Sequence, residues 1–252
     1  MKMCRITIKA PIGQLNSPLV GASKRCPNFV YMSTVQGILS RLFGEEFHYK
    51  DAIPFSYSFV FSYPYKQFYD IKMLRYTRNK NNQDSIVAFK DQIYINPTLR
   101  IYLPISYCSK EFVNSVYMFS PSFPADVERD VVDLKTVSQF KKRDRVYTGG
   151  SLVLLEDNFI QKTILMTTPI EYKYINPYKR VPVVSGTYGY FGQGTINTIG
   201  QLIDMFGNYI DNVFIDPTIN NERRRIVGRL VVLVDKDPVK IFGGEHNEWI
   251  NI

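Results

Sequence analysis

Alternating apolar and polar residues predict that β-strands make up most of this chain. Residues 5–10 alternate strictly, as expected for a strand with one face on a core. The aromatic-rich stretch 55–78 is predicted to form two strands that are broken near Pro64. Further strands are predicted at 86–95, 99–105, 151–155, 162–174, 181–184 and 226–234, and the last of these is the most apolar.

Two segments repeat apolar residues with the period of an amphipathic helix. In the first, Ser33 and Gln36 have the spacing of a capping box, and Gly44 stands where a left-handed residue ends a helix. Gly37 lies inside this helix, which predicts that another backbone approaches it closely. The apolar positions are Val35, Ile38, Leu39, Leu42 and Phe43 in the first helix, and Ile199, Leu202, Ile203 and Phe206 in the second, which Gly207 ends.

Turn-forming and charged residues predict three more local features. Asn96 and Pro97 join the strands 86–95 and 99–105 into a β-hairpin. Ser109 begins a short helix that extends to residue 119. Residues 125–148 are highly charged, so they are predicted to form a linker or an exposed segment.

Length and composition limit the class of protein. The 252 residues can form one large domain or two small ones, and an apolar content of 45% excludes general disorder. No run of about 18 apolar residues is present, so no association with a membrane is expected. The first residues lack the apolar core of a signal peptide, so the chain is expected in the cytoplasm.

Neither the cysteines nor the histidines indicate a metal or cofactor site. Cys4, Cys26 and Cys108 are far apart and form no Cys-x-x-Cys pair. His48 and His246 stand outside any motif for a nucleophile or a metal. The sequence therefore predicts no catalytic residue, no metal and no cofactor.

The charge balance points to an anionic partner. A formal net charge of +8 favours nucleic acid, and 18 tyrosines and 17 phenylalanines add faces on which bases stack. The cations are dispersed, which suits contact with a phosphate backbone, although each cluster alone also fits a solvated surface. The clusters are Lys24 with Arg25, Arg75 with Arg78 and Lys80, then Lys141, Lys142, Arg143 and Arg145, then Lys179 with Arg180, and Arg223, Arg224 and Arg225.

A glycine-rich stretch at 186–194 runs toward the second predicted helix. Its order, Gly189-x-x-Gly192-x-Gly194, is neither a Walker A motif nor the dinucleotide fingerprint. Small residues there would let a phosphate approach the free N–H groups of the helix. A tight turn or bulge fits the same residues slightly better. Tyr190 and Gln193 complete the candidate RNA-binding residues of this stretch.

The order of elements predicts an α+β fold with strands in excess. That order is strand, loop, helix, strands, hairpin, helix, strands, glycine loop, helix and strands. It suits a ferredoxin-like (RRM-like) unit followed by a β-rich part. We divide the chain into residues 1–148, with the ferredoxin-like unit, and 149–252, with the glycine stretch and the second helix. A single compact unit is the alternative.

Residues 25–44 (RCPNFVYMSTVQGILSRLFG) resemble the start of the CRISPR-associated RAMP proteins, in particular the Cas-five family of Cascade complexes. Members have an aromatic-proline motif, then a serine shortly before a glycine, then an apolar helix that ends in glycine. Ser33, Gly37 and Gly44 are similar to that pattern, whereas only Pro27 and residues 29–31 stand in for the aromatic-proline part. The stretch 186–194 is similar to a relaxed RAMP glycine loop.

The resemblance implies a RAMP domain with an inserted β-hairpin thumb, which residues 89–103 would form, and a β-rich C-terminal part. It implies a non-catalytic subunit that binds the 5′ handle of the CRISPR RNA (crRNA) and caps the backbone of a type I Cascade. Such a subunit contacts the Cas-seven and large subunits, and target DNA indirectly, in antiviral or transposon-associated systems. The handle path would include Lys24, Arg25, Asn28, Tyr31, Met32 and Ser33, with Gly37 beneath it.

Three alternatives stay open at the level of the sequence. The chain could be the equivalent RAMP subunit of a type III complex. It could be a metal-independent endoribonuclease that cleaves CRISPR repeats. In a third class, it is a β-rich structural or interaction protein whose basic residues are ordinary surface.

Overall fold

The computed structural model describes residues 1–14, 27–45, 47, 56–62, 69–78, 84–118, 124–153, 163–176 and 179–233. Strands predominate over helices, so the chain has a mixed α/β fold. The elements are β1 Lys2–Lys9, β2 Ile12–Gly13, α1 Met32–Phe43, β3 Ser56–Val60, β4 Tyr69–Arg78, β5 Asp84–Ile95, β6 Thr98–Pro104, β7 Asp126–Asp133, β8 Lys135–Thr136, β9 Arg145–Tyr147, β10 Leu152–Val153, β11 Ile164–Asn176, β12 Lys179–Tyr190, β13 Ile196–Thr198, α2 Ile199–Phe206, β14 Val213–Asp216 and β15 Ile226–Val232.

Four strands form an antiparallel sheet, here the first sheet, in the order β3-β6-β1-β7. The register places Ile6 of β1 opposite Ile101 of β6 and Arg129 of β7. Cys4, Ile6 and Ile8 point to one face and are fully buried. The alternation in residues 5–10 therefore predicted this strand correctly.

α1 covers that apolar face and ends as predicted, at Gly44 with a left-handed φ of 68°. The predicted capping box is wrong, because Ser33 lies inside the helix, whose N-cap is Tyr31, and the N-cap makes no side-chain capping hydrogen bond. The described residues also show no close approach of a backbone at Gly37. This residue is exposed, and no neighbouring described group lies within 4 Å of a Cβ built on it. The predicted stripe is buried, together with one further residue: Met32, Val35, Ile38, Leu39, Leu42 and Phe43.

A second sheet has the order β13-β9-β15-β14-β8 and packs against α2. The side chains of Thr198 and Gln201 form a reciprocal capping box at the start of α2. The predicted helix and the predicted strand at 226–234 are both present. The core between them contains Val146, Ile199, Leu202, Phe206, Ile215, Leu230 and Val232.

The free faces of the two sheets pack against each other. Alternation along β15 sends Leu230 and Val232 to the core under α2, and Val231 and Leu233 toward the first sheet. The apolar half of this contact layer consists of Met3, Tyr102, Val132, Leu134, Val231 and Leu233. The polar half carries the arginines described below.

The predicted hairpin around Asn96 is wrong, although the turn is present. Asn96 has a left-handed φ of 47°, but β5 pairs with β4 and β2, while β6 pairs with β1 and β3. Residues 89–103 therefore turn a corner between two sheets, and they do not form a thumb. The long hairpins of the described chain are instead β4–β5 and β11–β12.

Two further expectations are corrected. Ser109 does not begin a helix; a 3-10 helix, Ile105–Cys108, precedes it. The charged segment 125–148 is not a linker, because β7 pairs with β1 along its whole length and β8 and β9 belong to the second sheet. Edge strands tolerate such charge because one face stays in solvent. The division of the chain at residue 148 stays a prediction.

Candidate functional site

The two segments that carry the resemblance meet in space. Gln193 Nε2 donates hydrogen bonds to the main-chain oxygens of Asn28 (3.1 Å) and Phe59 (2.8 Å). The ring centroids of Phe29 and Tyr190 lie 4.8 Å apart. Residues 27–33 and 189–194 are thus neighbours in the fold, although they are far apart in the sequence.

Two tyrosines and a methionine of these segments belong to the apolar core. Tyr31, Met32 and Tyr190 expose 6%, 0% and 3% of their surface. The hydroxyl of Tyr190 bonds that of Tyr57, which donates to the oxygen of Val30 (2.7 Å). Burial raises the pKa of Tyr190. Little of these three side chains is available to a stacking base. Their predicted RNA-binding role stays a prediction.

The sequence suggested that residues 186–194 form one loop, but the structure divides this stretch. Its first part lies in β12, where Gly189 pairs with Leu165 and Val153, and only the part from Gly192 onward turns. Tight packing is found nearby at Gly150, which has a φ of 76° and where a Cβ would lie 1.9 Å from the oxygen of Phe59. Glycine is required there because backbone meets backbone.

The N-terminus of α2 offers no free donors to a phosphate. The N–H of Ile199 donates to the oxygen of Asp144, and that of Gly200 to the oxygen of Lys142, both at 2.9 Å. The N–H of Gln201 donates to Thr198 Oγ1. The predicted approach of a phosphate to this helix end is therefore wrong, because protein groups occupy its first N–H groups.

The other predicted site residues are scattered over the fold. Lys24 and Arg25 lie outside the described residues. Ser33 is half-buried on α1, and Arg75 and Arg78 lie on β4. Their predicted contacts with RNA stay predictions.

Two basic turns that are distant in sequence lie side by side at one edge of the second sheet. β9 and β15 run parallel, and Arg145 at the start of β9 is paired with Ile226 at the start of β15. The turns that precede both strands are therefore adjacent. We term the seven exposed cations of these turns the basic edge: Lys141, Lys142, Arg143, Arg145, Arg223, Arg224 and Arg225.

The basic edge has a large excess of positive charge. Among the described residues, no carboxylate forms an ion pair with any of its seven cations. The two turns contain only two acidic residues, Asp144 and Glu222. Asp144 accepts the main-chain N–H of Lys141 at 2.9 Å and so shapes the turn. Three cations of this edge, Lys141, Lys142 and Arg143, were predicted as RNA-binding residues.

The polar half of the layer between the two sheets contains three arginines, Arg5, Arg100 and Arg229. Arg5 pairs with Asp130 at the surface and with the fully buried Asp216, whose Oδ2 lies 2.6 Å from Arg5 Nη1. The Tyr102 hydroxyl donates to the same oxygen at 2.9 Å. We term the three arginines, Tyr102 and Asp216 the arginine layer.

Burial and charge shift the pKa values in this layer. Burial raises the pKa of Tyr102, and Asp216 raises it further. Burial lowers the pKa of Arg229 to about 10, and the positive charge of Arg100 adds to the lowering. Burial alone would lower the pKa of Arg5, but its bonds to Asp130 and Asp216 raise it. Arg5 is thus stabilised as a cation, whereas the buried Arg229 forms no ion pair with a described carboxylate.

Sequence reasoning missed the arginine layer, although one signal was visible. Arg229 interrupts the most apolar strand of the chain, where a solvated arginine is not expected. Arg5 and Arg100 occupy the polar positions of alternating strands, a pattern that ordinarily indicates solvent. Asp216, the partner of Arg5, lies on a different sheet, so no local pattern connects the two.

In the ranges that the structure describes, no cluster of three or more His, Cys, Asp or Glu residues is arranged to hold a metal ion. None of the described helices is long and apolar enough to cross a membrane. Comparison with protein-family models and with curated proteins gives no match for this chain. Its function is therefore inferred from the basic edge, the arginine layer and the fold.

Proposed function

We propose that the chain binds single-stranded RNA and that the phosphate backbone of the RNA lies along the basic edge. The observation that carries this proposal is the parallel pairing of β9 with β15, which joins two basic turns into one surface of seven exposed cations. Cations that neutralise phosphates release bound counterions, and this supplies affinity without sequence preference. A flexible single strand can follow such a surface from turn to turn.

The first sheet supports a ferredoxin-like assignment for the N-terminal part. Counted along the chain, its four strands are β1, β3, β6 and β7, and their spatial order β7-β1-β6-β3 is the 4-1-3-2 order of that fold. α1 connects the first of them to the second. In the described residues between β6 and β7, a 3-10 helix takes the place of a second α-helix. We propose the hairpin β4–β5 as the inserted thumb; it carries Arg75 and Arg78.

Fold, charge and the resemblance of residues 25–44 together favour one RNA. We propose that the chain is the non-catalytic subunit that binds the crRNA 5′ handle in a type I Cascade. In that assembly it would contact the Cas-seven and large subunits. The resemblance supports the identity of the RNA, whereas the basic edge supports RNA binding as such.

The test compares the RNA affinity of two variants with equal net charge. Each variant neutralises three surface cations: Lys142→Gln, Arg143→Gln and Arg224→Gln on the basic edge, or Lys2→Gln, Lys110→Gln and Lys135→Gln elsewhere. Each lost contact with a single strand removes about 0.7 from the slope of log K against log salt. We expect the slope of the edge variant to fall by about 2 and its affinity at 0.1 M salt by about tenfold or more. An equal loss of RNA affinity in both variants would contradict the proposal that RNA binds along the basic edge.

Recognition of the handle is tested separately. The wild-type chain is titrated with RNA that carries a CRISPR 5′ handle and with scrambled RNA of the same length, at two salt concentrations. Handle-dependent binding that persists at the higher salt supports the Cascade proposal. Equal binding to both RNAs, lost as salt rises, contradicts handle recognition and leaves only a general RNA-binding surface.

A further inference from the structure

Three buried polar atoms without a hydrogen-bond partner belong to residues on the facing surfaces of the two sheets. They are Ser58 Oγ, Arg100 Nη1 and Arg229 Nε. Ser58 and Arg100 are directly opposite each other on β3 and β6, so their side chains leave the same face of the first sheet. Arg229 approaches from β15, with 6% of its surface exposed. Buried polar atoms in native proteins are nearly always paired, so three unpaired ones in one layer require a reason.

The carboxylate in the layer cannot pair with these groups, because its acceptor positions are occupied. Asp216 Oδ2 accepts from Arg5 Nη1 and from the Tyr102 hydroxyl. Asp216 Oδ1 accepts from the N–H and the hydroxyl of Thr218. A carboxylate has about four lone-pair sites, and all of them are thus in use. Asp216 is therefore the counter-charge of Arg5. Glu128, whose charge also acts on Arg100, is exposed and paired with Lys9, so among the described residues no carboxylate forms an ion pair with Arg100 or Arg229.

The remaining contacts of the two arginines do not neutralise them. Arg229 Nη1 donates to the main-chain oxygen of Gly149 at 2.8 Å, and its guanidinium lies 5.6 Å from the ring centre of Tyr147. Neither contact brings a negative charge. No hydrogen bond or ion pair of the Arg100 guanidinium is found among the described residues. Burial lowers the pKa of both arginines, and the nearby negative charges, Asp216 for both and Glu128 for Arg100, do not offset it.

The free groups define the chemistry of a ligand. Guanidinium N–H groups only donate, and a serine hydroxyl can donate as well, so the ligand must accept several hydrogen bonds. Two guanidinium groups from facing sheets suit an anion with oxygens in several directions, which a tetrahedral phosphate has and a planar carboxylate lacks. A water molecule would fill space but leave both charges uncompensated. Arg100 is only partly buried, so part of this side chain reaches solvent although its Nη1 does not.

We propose that Ser58, Arg100 and Arg229 bind one phosphate group between the two sheets. Arg100 and Arg229 donate to its oxygens from opposite sides, and the Ser58 hydroxyl donates a further hydrogen bond. The site is separate from the basic edge and does not depend on the proposed RNA-binding function. Bound phosphate connects β3 and β6 with β15, so it stabilises the contact between the sheets.

The first test is thermal unfolding of the full chain in inorganic phosphate, compared with sodium chloride of equal ionic strength. A ligand that binds only the folded state raises Tm, by about 3 to 5 °C at ten times its Kd for a chain of this size. We expect this rise in the wild type. We expect it to be lost in Arg100→Met and in Arg229→Met, which keep the volume of the side chain and remove its donors.

Arg143→Met is the matched control, because it removes an identical group from the basic edge. We expect it to keep the full phosphate-dependent rise in Tm. An equal rise in all four proteins would show a general salt effect and would overturn the site. No rise in the wild type would also overturn it.

Calorimetric titration of the folded chains with inorganic phosphate at 20 °C removes the dependence on unfolding. We expect one phosphate per wild-type chain, and at least tenfold weaker binding by Arg100→Lys, which keeps the charge but loses the fork of donors. Unchanged binding by Arg100→Lys and by Ser58→Ala together would overturn the assignment of these residues.

Two sources of the phosphate are distinguished by a further titration with a dinucleoside monophosphate, which carries one phosphodiester and no terminal phosphate. If it competes with inorganic phosphate in the wild type, the site takes a phosphate of a nucleic-acid backbone. If inorganic phosphate binds and the dinucleoside does not, the site takes free phosphate or a terminal phosphate group. A variant of the basic edge should bind inorganic phosphate in this site as the wild type does.

Discussion

The two faces of the first sheet are buried in opposite ways. Under α1 the sheet presents apolar side chains, such as Ile6 and Ile101, which need only volume and close packing. Toward the second sheet it presents Arg5, Arg100 and Tyr102, each of which needs a specific partner when it leaves water. Arg100 and Ile101 are neighbours in β6, yet one faces each environment. The apolar face stabilises the fold by close packing. The polar face contains hydrogen-bonding groups without a partner, on Ser58 and Arg100, which a ligand could bind.

Asp216→Asn should lower the free energy of unfolding more than the other substitutions considered, because it removes a buried negative charge from the polar face. An amide cannot neutralise Arg5, so this cation loses its buried partner and keeps only the exposed carboxylate of Asp130. We expect the free energy of unfolding to fall by about 4 kcal/mol, measured by urea denaturation at pH 7. Asp130→Asn is the control, since that carboxylate is largely exposed, and its loss should cost about 1 kcal/mol or less. An equal cost for both variants would mean that Asp216 does not organise the layer.

Ile101→Ala should have the next largest effect, because it leaves a cavity in the apolar face. Ile101 is fully buried beneath α1. We expect a loss of about 3 kcal/mol in the free energy of unfolding. Val131→Ala, on an exposed position of β7, should change it by less than about 0.5 kcal/mol. Similar losses for both would contradict the packing of α1 on this face.

Gly37→Ala should stabilise the helix that covers the apolar face. The residue is exposed in the interior of α1 and has open space where a Cβ would stand, so alanine removes only the entropic penalty of glycine. We expect a gain of about 1 kcal/mol. Gly44→Ala should have the opposite sign, since it has a left-handed φ and its Cβ would lie 2.7 Å from Val113 Cγ2. A loss of stability in Gly37→Ala would indicate a contact with residues outside those described.

Asp133→Asn, at the exposed rim of the first sheet, should have the smallest effect on stability. Lys135, and after it the N-terminal ammonium group, hold the pKa of Asp133 at about 2. The unfolded value is about 3.9, so this stabilisation is complete above that pH and is lost as the pH falls toward 2. We expect Asp133→Asn to have a slightly lower urea midpoint than the wild type at pH 7 and the same midpoint near pH 2. A constant difference across this range would exclude the ion pair as its cause.

Local patterns predicted those elements whose signals are contained within one segment. α1 and α2 follow from a continuous apolar stripe with a glycine after each, and β1 and β15 follow from alternation and from a long apolar run. Local patterns did not predict which strands pair with each other. The turn at Asn96 was found, but the strands on either side of it join different sheets, because pairing depends on which surfaces need to be buried.

The candidate sites, too, were predictable only where their signal lies within one segment of the chain. Net charge and the two basic clusters were visible in the sequence, whereas their union in the basic edge depends on the parallel pairing of β9 with β15. The capping box at Ser33 and the open helix end near residue 199 failed for a related reason. A side chain or an N–H group takes the partner that the tertiary fold places nearest, and sequence spacing does not fix that partner.

Residue types and their spacing are enough to make this chain basic, rich in strands, and able to cover one apolar sheet face with an amphipathic helix. These properties depend on residue types and on periods of two and 3.6 residues, which are local. The packing of the sheets brings Arg5, Arg100 and Arg229 into one buried layer with Asp216, and among the described residues it gives an ion-pair partner to Arg5 alone of the three. Electrostatic compensation acts between groups that are near in space, and nearness in space is set by the packing of the whole chain.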